Sequence, residues 1–109
     1  MPPVNTNNLT INKTDKGINH TPAGNPVTVP NGGTVKACNK KKKGKLTVRV
    51  TMNGETVFEQ TLEPGQCTTL IMGSPQLPDG QYTVEDPPAI VKIIGTSGNR
   101  FTFLKPKKK

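Results

Sequence analysis

From residue 31 onward, β-branched and aromatic residues fall in short runs divided by turn-forming clusters. Asn31-Gly32-Gly33, Asn53-Gly54, Pro64-Gly65, Asp79-Gly80 and Ser97-Gly98-Asn99 are the dividers. The runs they bound predict strands at 26–30, 34–39, 45–52, 55–62, 67–72, 81–85, 89–94 and 100–104. No stretch sustains a 3.6-residue period, so no helix is predicted. Seven or eight short strands with regular turns describe an all-β domain, a small sandwich or barrel.

The central hairpin can be read to the level of register. Leu46, Val48, Val50 and Met52 share one face of their strand, and Phe58 and Leu62 share a face of the next. A two-residue Asn53-Gly54 loop sets Val48 opposite Glu59. A three-residue loop with a bulge at a left-handed Gly54 aligns Val48 and Val50 with the Phe58 face instead. A one-residue slip exchanges the two faces, so burial selects the second arrangement. It predicts Phe58 buried beside Val48, Glu59 in water and Val57 turned outward as a misfit.

Residues 1–30 break the pattern. They hold six Asn, five Thr and five Pro with no aromatic residue, a composition that on its own buries too little apolar surface to offset the entropy of ordering. They are expected to form an extended polar arm, mobile unless laid along another surface. The expected domain is then residues 31–104, a sandwich small enough to be only modestly stable alone. Residues 105–109 form a basic tail.

The segment LPDGQYTV, residues 77–84, resembles a corner of immunoglobulin-like and transthyretin-like β-sandwich modules. In those folds a Gly-x-Tyr follows a leucine, and the tyrosine anchors the corner through a hydrogen bond to nearby backbone. Tyr82 and Gly80 match. Val84 stands where antibody-type domains carry a cysteine, and the chain has no tryptophan. The resemblance implies an immunoglobulin-like sandwich.

Cys38 and Cys67 each fall in a predicted strand, as a disulfide or as two small buried thiols. No apolar leader follows Met1, which favours the thiols and a cytosolic start. Asn8, Asn12 and Asn19 begin N-x-T sequons, which a stretch so rich in Asn and Thr produces by chance. No run approaches the length of a membrane span.

Charge is unevenly placed. Nine of the fifteen basic residues lie in two clusters, Lys40, Lys41, Lys42, Lys43 and Lys45, and Lys105, Lys107, Lys108 and Lys109. The six others face seven acidic residues, so the body is close to neutral and the formal +8 resides in the clusters. These nine lysines are the candidate sites for a polyanion or partner.

Catalytic chemistry finds no purchase. The single histidine, His20, lies among polar residues and reads as solvent-exposed. The cysteines lack neighbours at metal-ligand spacing, and KKKKGKLT lacks the glycine spacing of a phosphate loop. Glu55, Glu59 and Glu63 sit on a strand face that reads as solvated. No catalytic residue, cofactor or metal is expected.

An arm, a compact body and basic patches together are similar in layout to the small accessory or decoration proteins of tailed-phage capsids. That resemblance implies a non-enzymatic structural protein on a large assembly such as a capsid shell, located in a virion or a cytoplasmic assembly. Two alternatives stand beside it. One is non-specific nucleic-acid binding through the lysines, which neither cluster interleaves with the aromatics of base-stacking proteins. The other is a surface adhesion module. Lysines at strand edges also keep small sheets apart.

Overall fold

The computed structural model describes residues 3–78, 81–85, 90–96 and 100–103. They form eleven strands and no helix: β1 (Val4–Asn5), β2 (Asn8–Thr14), β3 (Gly17–Thr21), β4 (Val27–Thr28), β5 (Thr34–Asn39), β6 (Leu46–Met52), β7 (Glu55–Leu62), β8 (Cys67–Ile71), β9 (Gln81–Glu85), β10 (Ile90–Thr96) and β11 (Arg100–Phe103). β4 to β11 fall within about two residues of the predicted runs, the usual uncertainty of a strand boundary. The expected count of seven or eight is too low because β1, β2 and β3 lie in the supposed arm.

Two sheets enclose one core. The larger has the order β1, β4, β11, β9, β10, β6, β7, and the smaller β3, β2, β5, β8. Leu9, Ile11, Val35, Ala37 and Leu70 from the smaller sheet meet Leu46, Val48, Val50, Leu62, Val84, Val91 and Ile93 from the larger.

The polar arm is therefore corrected to an integral part of the sandwich. β2 is an inner strand, paired parallel with β5 and antiparallel with β3. β1 pairs with β4 in the other sheet, so the chain changes sheets between Asn5 and Asn8. A strand buried on one face needs apolar residues only at alternate positions. Leu9 and Ile11 meet that need at 0% exposure, and Val27 and Val29 add two more buried side chains. The Thr and Asn residues between them cover the outer face, where Asn12 Nδ2 donates to Asn19 Oδ1 at 3.2 Å. Threonine is moreover a good strand former, so a high Asn and Thr content does not oppose this structure.

The β6–β7 hairpin reaches the expected alignment by another device. Asn53 and Gly54 both have positive φ, 53° and 84°, and Met52 pairs with Glu55, which makes a two-residue turn. The register then shifts at Val50/Thr51, leaving Val57 as an extra residue, and Val50 pairs with Phe58 and Leu46 with Leu62. The bulge sits at Val57 rather than at Gly54. Phe58 packs against the core half-buried, not fully buried, because β7 is an edge strand. Glu59 faces water and accepts from Arg49 Nε at 2.8 Å.

Cys38 and Cys67 form a disulfide, which corrects the expectation of two thiols. They are direct partners in the β5–β8 ladder, with Cα atoms 4.0 Å apart. The Asn39 amide donates to Gln66 O and the Met72 amide to Gly33 O. Hydrogen-bonded pairs alternate with non-bonded ones, so Cys38 and Cys67 occupy a non-bonded position, where side chains approach most closely. Tyr82 is 1% exposed, and its hydroxyl donates to Pro78 O at 2.6 Å. The Gly80 turn beside it lies outside the described residues.

Candidate functional site

Strand directions gather the basic loops at one end. β2 and β5 run in parallel toward it, and β3, β6 and β8 start from it. Three connections meet there: the β2–β3 turn at Asp15 and Lys16, the β5–β6 loop at residues 40–45, and the β7–β8 turn at residues 63–66. Together they carry six lysines, Lys16, Lys40, Lys41, Lys42, Lys43 and Lys45, against two carboxylates, Asp15 and Glu63. Lys16 is a member that sequence clustering alone did not supply.

The lysine loop has a fixed floor. Asn39, fully buried at the end of β5, donates through Nδ2 to Gly44 O and to Leu62 O, each at 3.0 Å. Its Oδ1 accepts the Lys41 amide at 3.1 Å. One side chain thus ties both ends of the loop to each other and to the end of β7. Burial leaves little water to replace those bonds, which makes them costly to break. Gly44, at φ 96°, closes the loop, and the Lys41 side chain lies over it, with Nζ 3.4 Å from where a Cβ would stand.

Neighbouring turns brace the loop. The Lys40 amide donates to Lys13 O at 2.7 Å, and the Lys42 amide to Asp15 Oδ2 at 3.1 Å. On the other side the Gly65 amide donates to Asn39 O at 2.7 Å, and Lys45 Nζ stands 3.8 Å from Glu63 Oε2. Both carboxylates of these three connections therefore contact the lysine loop. Lys40, Lys42, Lys43 and Lys45 project into water, and Lys41 is half-buried. Asn39 was legible as an inward position, because Val35, Ala37 and Asn39 alternate along one strand face.

Lys105, Lys107, Lys108 and Lys109 lie outside the described residues, so the structure does not place the second cluster. Topology does fix where the chain departs for it. β11 is parallel to β9, β9 antiparallel to β10, and β10 parallel to β6. Since β6 starts at the lysine end, β11 finishes there, at Phe103.

The remaining candidates are engaged elsewhere. His20, expected in water, is half-buried in β3, and its Nδ1 donates to Pro22 O at 2.9 Å. Glu55, Glu59 and Glu63 are exposed. Among the described residues no group of three His, Cys, Asp or Glu could hold a metal ion, and no helix is long and apolar enough to cross a membrane. Compared with protein-family models, curated proteins and solved structures, the chain matches none.

Proposed function

We propose that this protein is a non-enzymatic attachment module, whose β-sandwich presents a shaped lysine loop to the polyanionic surface of a larger assembly. The observation that carries this is the Asn39 clamp. A lysine run that served only solubility would need no buried side chain fixing its backbone at two points and tying it to the end of β7. Pre-organisation lowers the entropy lost when the loop engages a partner. The two cysteines are joined in a disulfide, so neither offers the activated thiolate of a nucleophilic site.

An accessory role on a capsid-like shell fits this module, although β1 to β4 take the expected extended arm into the sheets. An immunoglobulin-like relationship is proposed on the Tyr82 corner alone. A second reading, a surface module, gains from the disulfide, since such bonds persist in oxidising settings that include virion and cell surfaces.

Replacing Lys40, Lys41, Lys42, Lys43 and Lys45 together by Gln tests the proposal. Retention on immobilised heparin should fall sharply while far-UV circular dichroism stays unchanged. Equal retention of variant and wild type would remove the loop from the binding surface.

A further inference from the structure

We infer that the Cys38–Cys67 disulfide is a thiol-exchange site, through which a small dithiol loosens the lysine loop and weakens its hold on a polyanion. The weakened hold rests on the docking role proposed above, whereas the exchange itself stands apart from it.

Alternation decides which way the bridge faces. Val35, Ala37 and Asn39 of β5 point into the sandwich, so Cys38 lies on the outer face with Thr34 and Lys36. Leu70 of β8 points inward in the same way, which leaves Cys67, Thr69 and Ile71 outside. The two sulfurs are not equivalent. Cys38 is 2% exposed, whereas Cys67 is exposed and sits on β8, the edge of its sheet.

An attacking thiolate meets one sulfur from the side away from the other. For Cys67 that side lies beyond β8, where the sheet ends. For Cys38 it is occupied by β2, whose Asn12 stands in register with Cys38. Cys67 is therefore the sulfur open to attack, and exposed disulfides are the ones that exchange readily. The incoming thiolate is an anion. Lys36 and Lys40 flank Cys38 two residues to either side, a setting that draws it in.

The first thiolate of the dithiol bonds to Cys67 Sγ. The Cys38 sulfur leaves with the electron pair of the broken bond and takes a proton from water. The second thiol of the reductant then displaces Cys67 in the same manner. The reductant closes into its own disulfide, and the two electrons it gives up leave two protein thiols.

Reduction leaves the sandwich standing. Residues 34–38 of β5 remain paired with residues 67–71 of β8. Thr68, on the inward face, donates through Oγ1 to Gln60 Oε1 of β7 at 3.0 Å. What is lost is the covalent tie beside the clamp. Cys38 adjoins Asn39 and Cys67 adjoins Gln66, and the Asn39 amide donates to Gln66 O at 2.9 Å. Without the bridge, the β7–β8 turn and the lysine loop are joined by non-covalent contacts alone. The loop then samples more conformations and loses more entropy when it docks.

The test begins with wild-type protein incubated with dithiothreitol at neutral pH without denaturant, its thiols counted by alkylation and intact mass. Both thiols should appear, at a rate unchanged by urea below the unfolding transition, and far-UV circular dichroism should keep its β signature. In the reduced protein, limiting iodoacetamide should modify Cys67 before Cys38. Reduced protein should elute from immobilised heparin at lower salt than the oxidised form, and reoxidation should restore the original position. Thiols that appear only where urea unfolds the chain, or loss of the β signature on reduction, make the bridge purely structural. Either result overturns this inference and leaves the docking role standing. Modification of Cys38 first overturns the assignment of Cys67 as the attacked sulfur. Equal elution of the two forms overturns the loosening of the loop. Retention of neither form overturns the proposed function, while the thiol count still decides the exchange chemistry.

Discussion

The two ends of the sandwich are held by different means. At the lysine end side chains tie the connections together: Asn39 to three backbone groups, Asp15 to the Lys42 amide, and Gln66 Oε1 to the Glu63 amide. At the opposite end the ties run chiefly from backbone to backbone, with Thr34 Oγ1 on Asn8 Oδ1 and the Tyr82 hydroxyl on Pro78 O beside them. The Thr34 amide donates to Asn7 O at 2.8 Å, Gly32 to Met72 O at 2.9 Å and Asn53 to Gly95 O at 2.9 Å. Residues 6–7, 29–33, 53–54 and 72–78 at that end include no ionisable side chain, and a shallow groove is lined there by Asn5, Thr6, Asn7, Thr28 and Pro30. Backbone ties tolerate many sequences provided that glycine keeps the strands close. Side-chain ties depend on single residues. A charged loop needs the second kind, because adjacent ammonium groups repel one another and favour opening.

The contrast is most strongly challenged by removing the disulfide. Cys38 and Cys67 lie 29 residues apart, and loop-closure entropy for that span gives a loss of about 3 to 4 kcal/mol for the Cys38→Ala, Cys67→Ala pair. Urea unfolding measures the total, and amide exchange locates it. Residues 40–45 and 63–66 should lose protection while residues 29–33 keep theirs. Uniform loss at both ends would mean that the ends are not independently held.

Asn39→Ala comes next. It strands the carbonyls of Gly44 and Leu62, at a cost of about 2 to 3 kcal/mol. Asn31→Ala, at an exposed position of the opposite end, should stay within about 0.5 kcal/mol. Similar denaturation midpoints for the two variants would erase the distinction drawn here.

A smaller loss than that of Asn39→Ala probes the backbone ties. A Cβ at Gly33 would stand 2.7 Å from Val29 Cγ1 and 2.8 Å from Asn7 O. Gly33→Ala should therefore cost about 1 to 2 kcal/mol by pushing residues 6–7 away from residues 29–33. A thermal midpoint equal to wild type would show that the end has slack.

Legibility in the sequence divides along physical lines. β5, β7 and β9 stand where their β-branched runs and flanking turns put them, because turn chemistry and alternation are local properties. The pairing of Val50 with Phe58 was also legible, since only one face can be buried. Its mechanism was not, because Gly54 and Val57 are equally able to host the extra residue and packing decides between them. β2 was hidden by composition. Its Leu9, Ile11 alternation is present, but the value of two apolar residues depends on the sheet that receives them, and that sheet is supplied by β5. The disulfide depends likewise on a register between strands distant in the chain. At the candidate site, the lysines were evident as charge, while the Asn39 clamp required knowing that the end of β7 lies beneath the loop.

The extra residue at Val57 also governs how these molecules meet one another. β7 is the longest strand, eight residues, and it forms a sheet edge. Such an edge is a template for a neighbouring chain. The insertion interrupts the regular spacing of its outward backbone groups, so an incoming strand can match them on one side of Val57 or the other but not along the whole length. Glu55 and Glu59 add charge on that same strand. Where many copies of the chain are crowded together, an edge interrupted in this way opposes strand-by-strand growth between them.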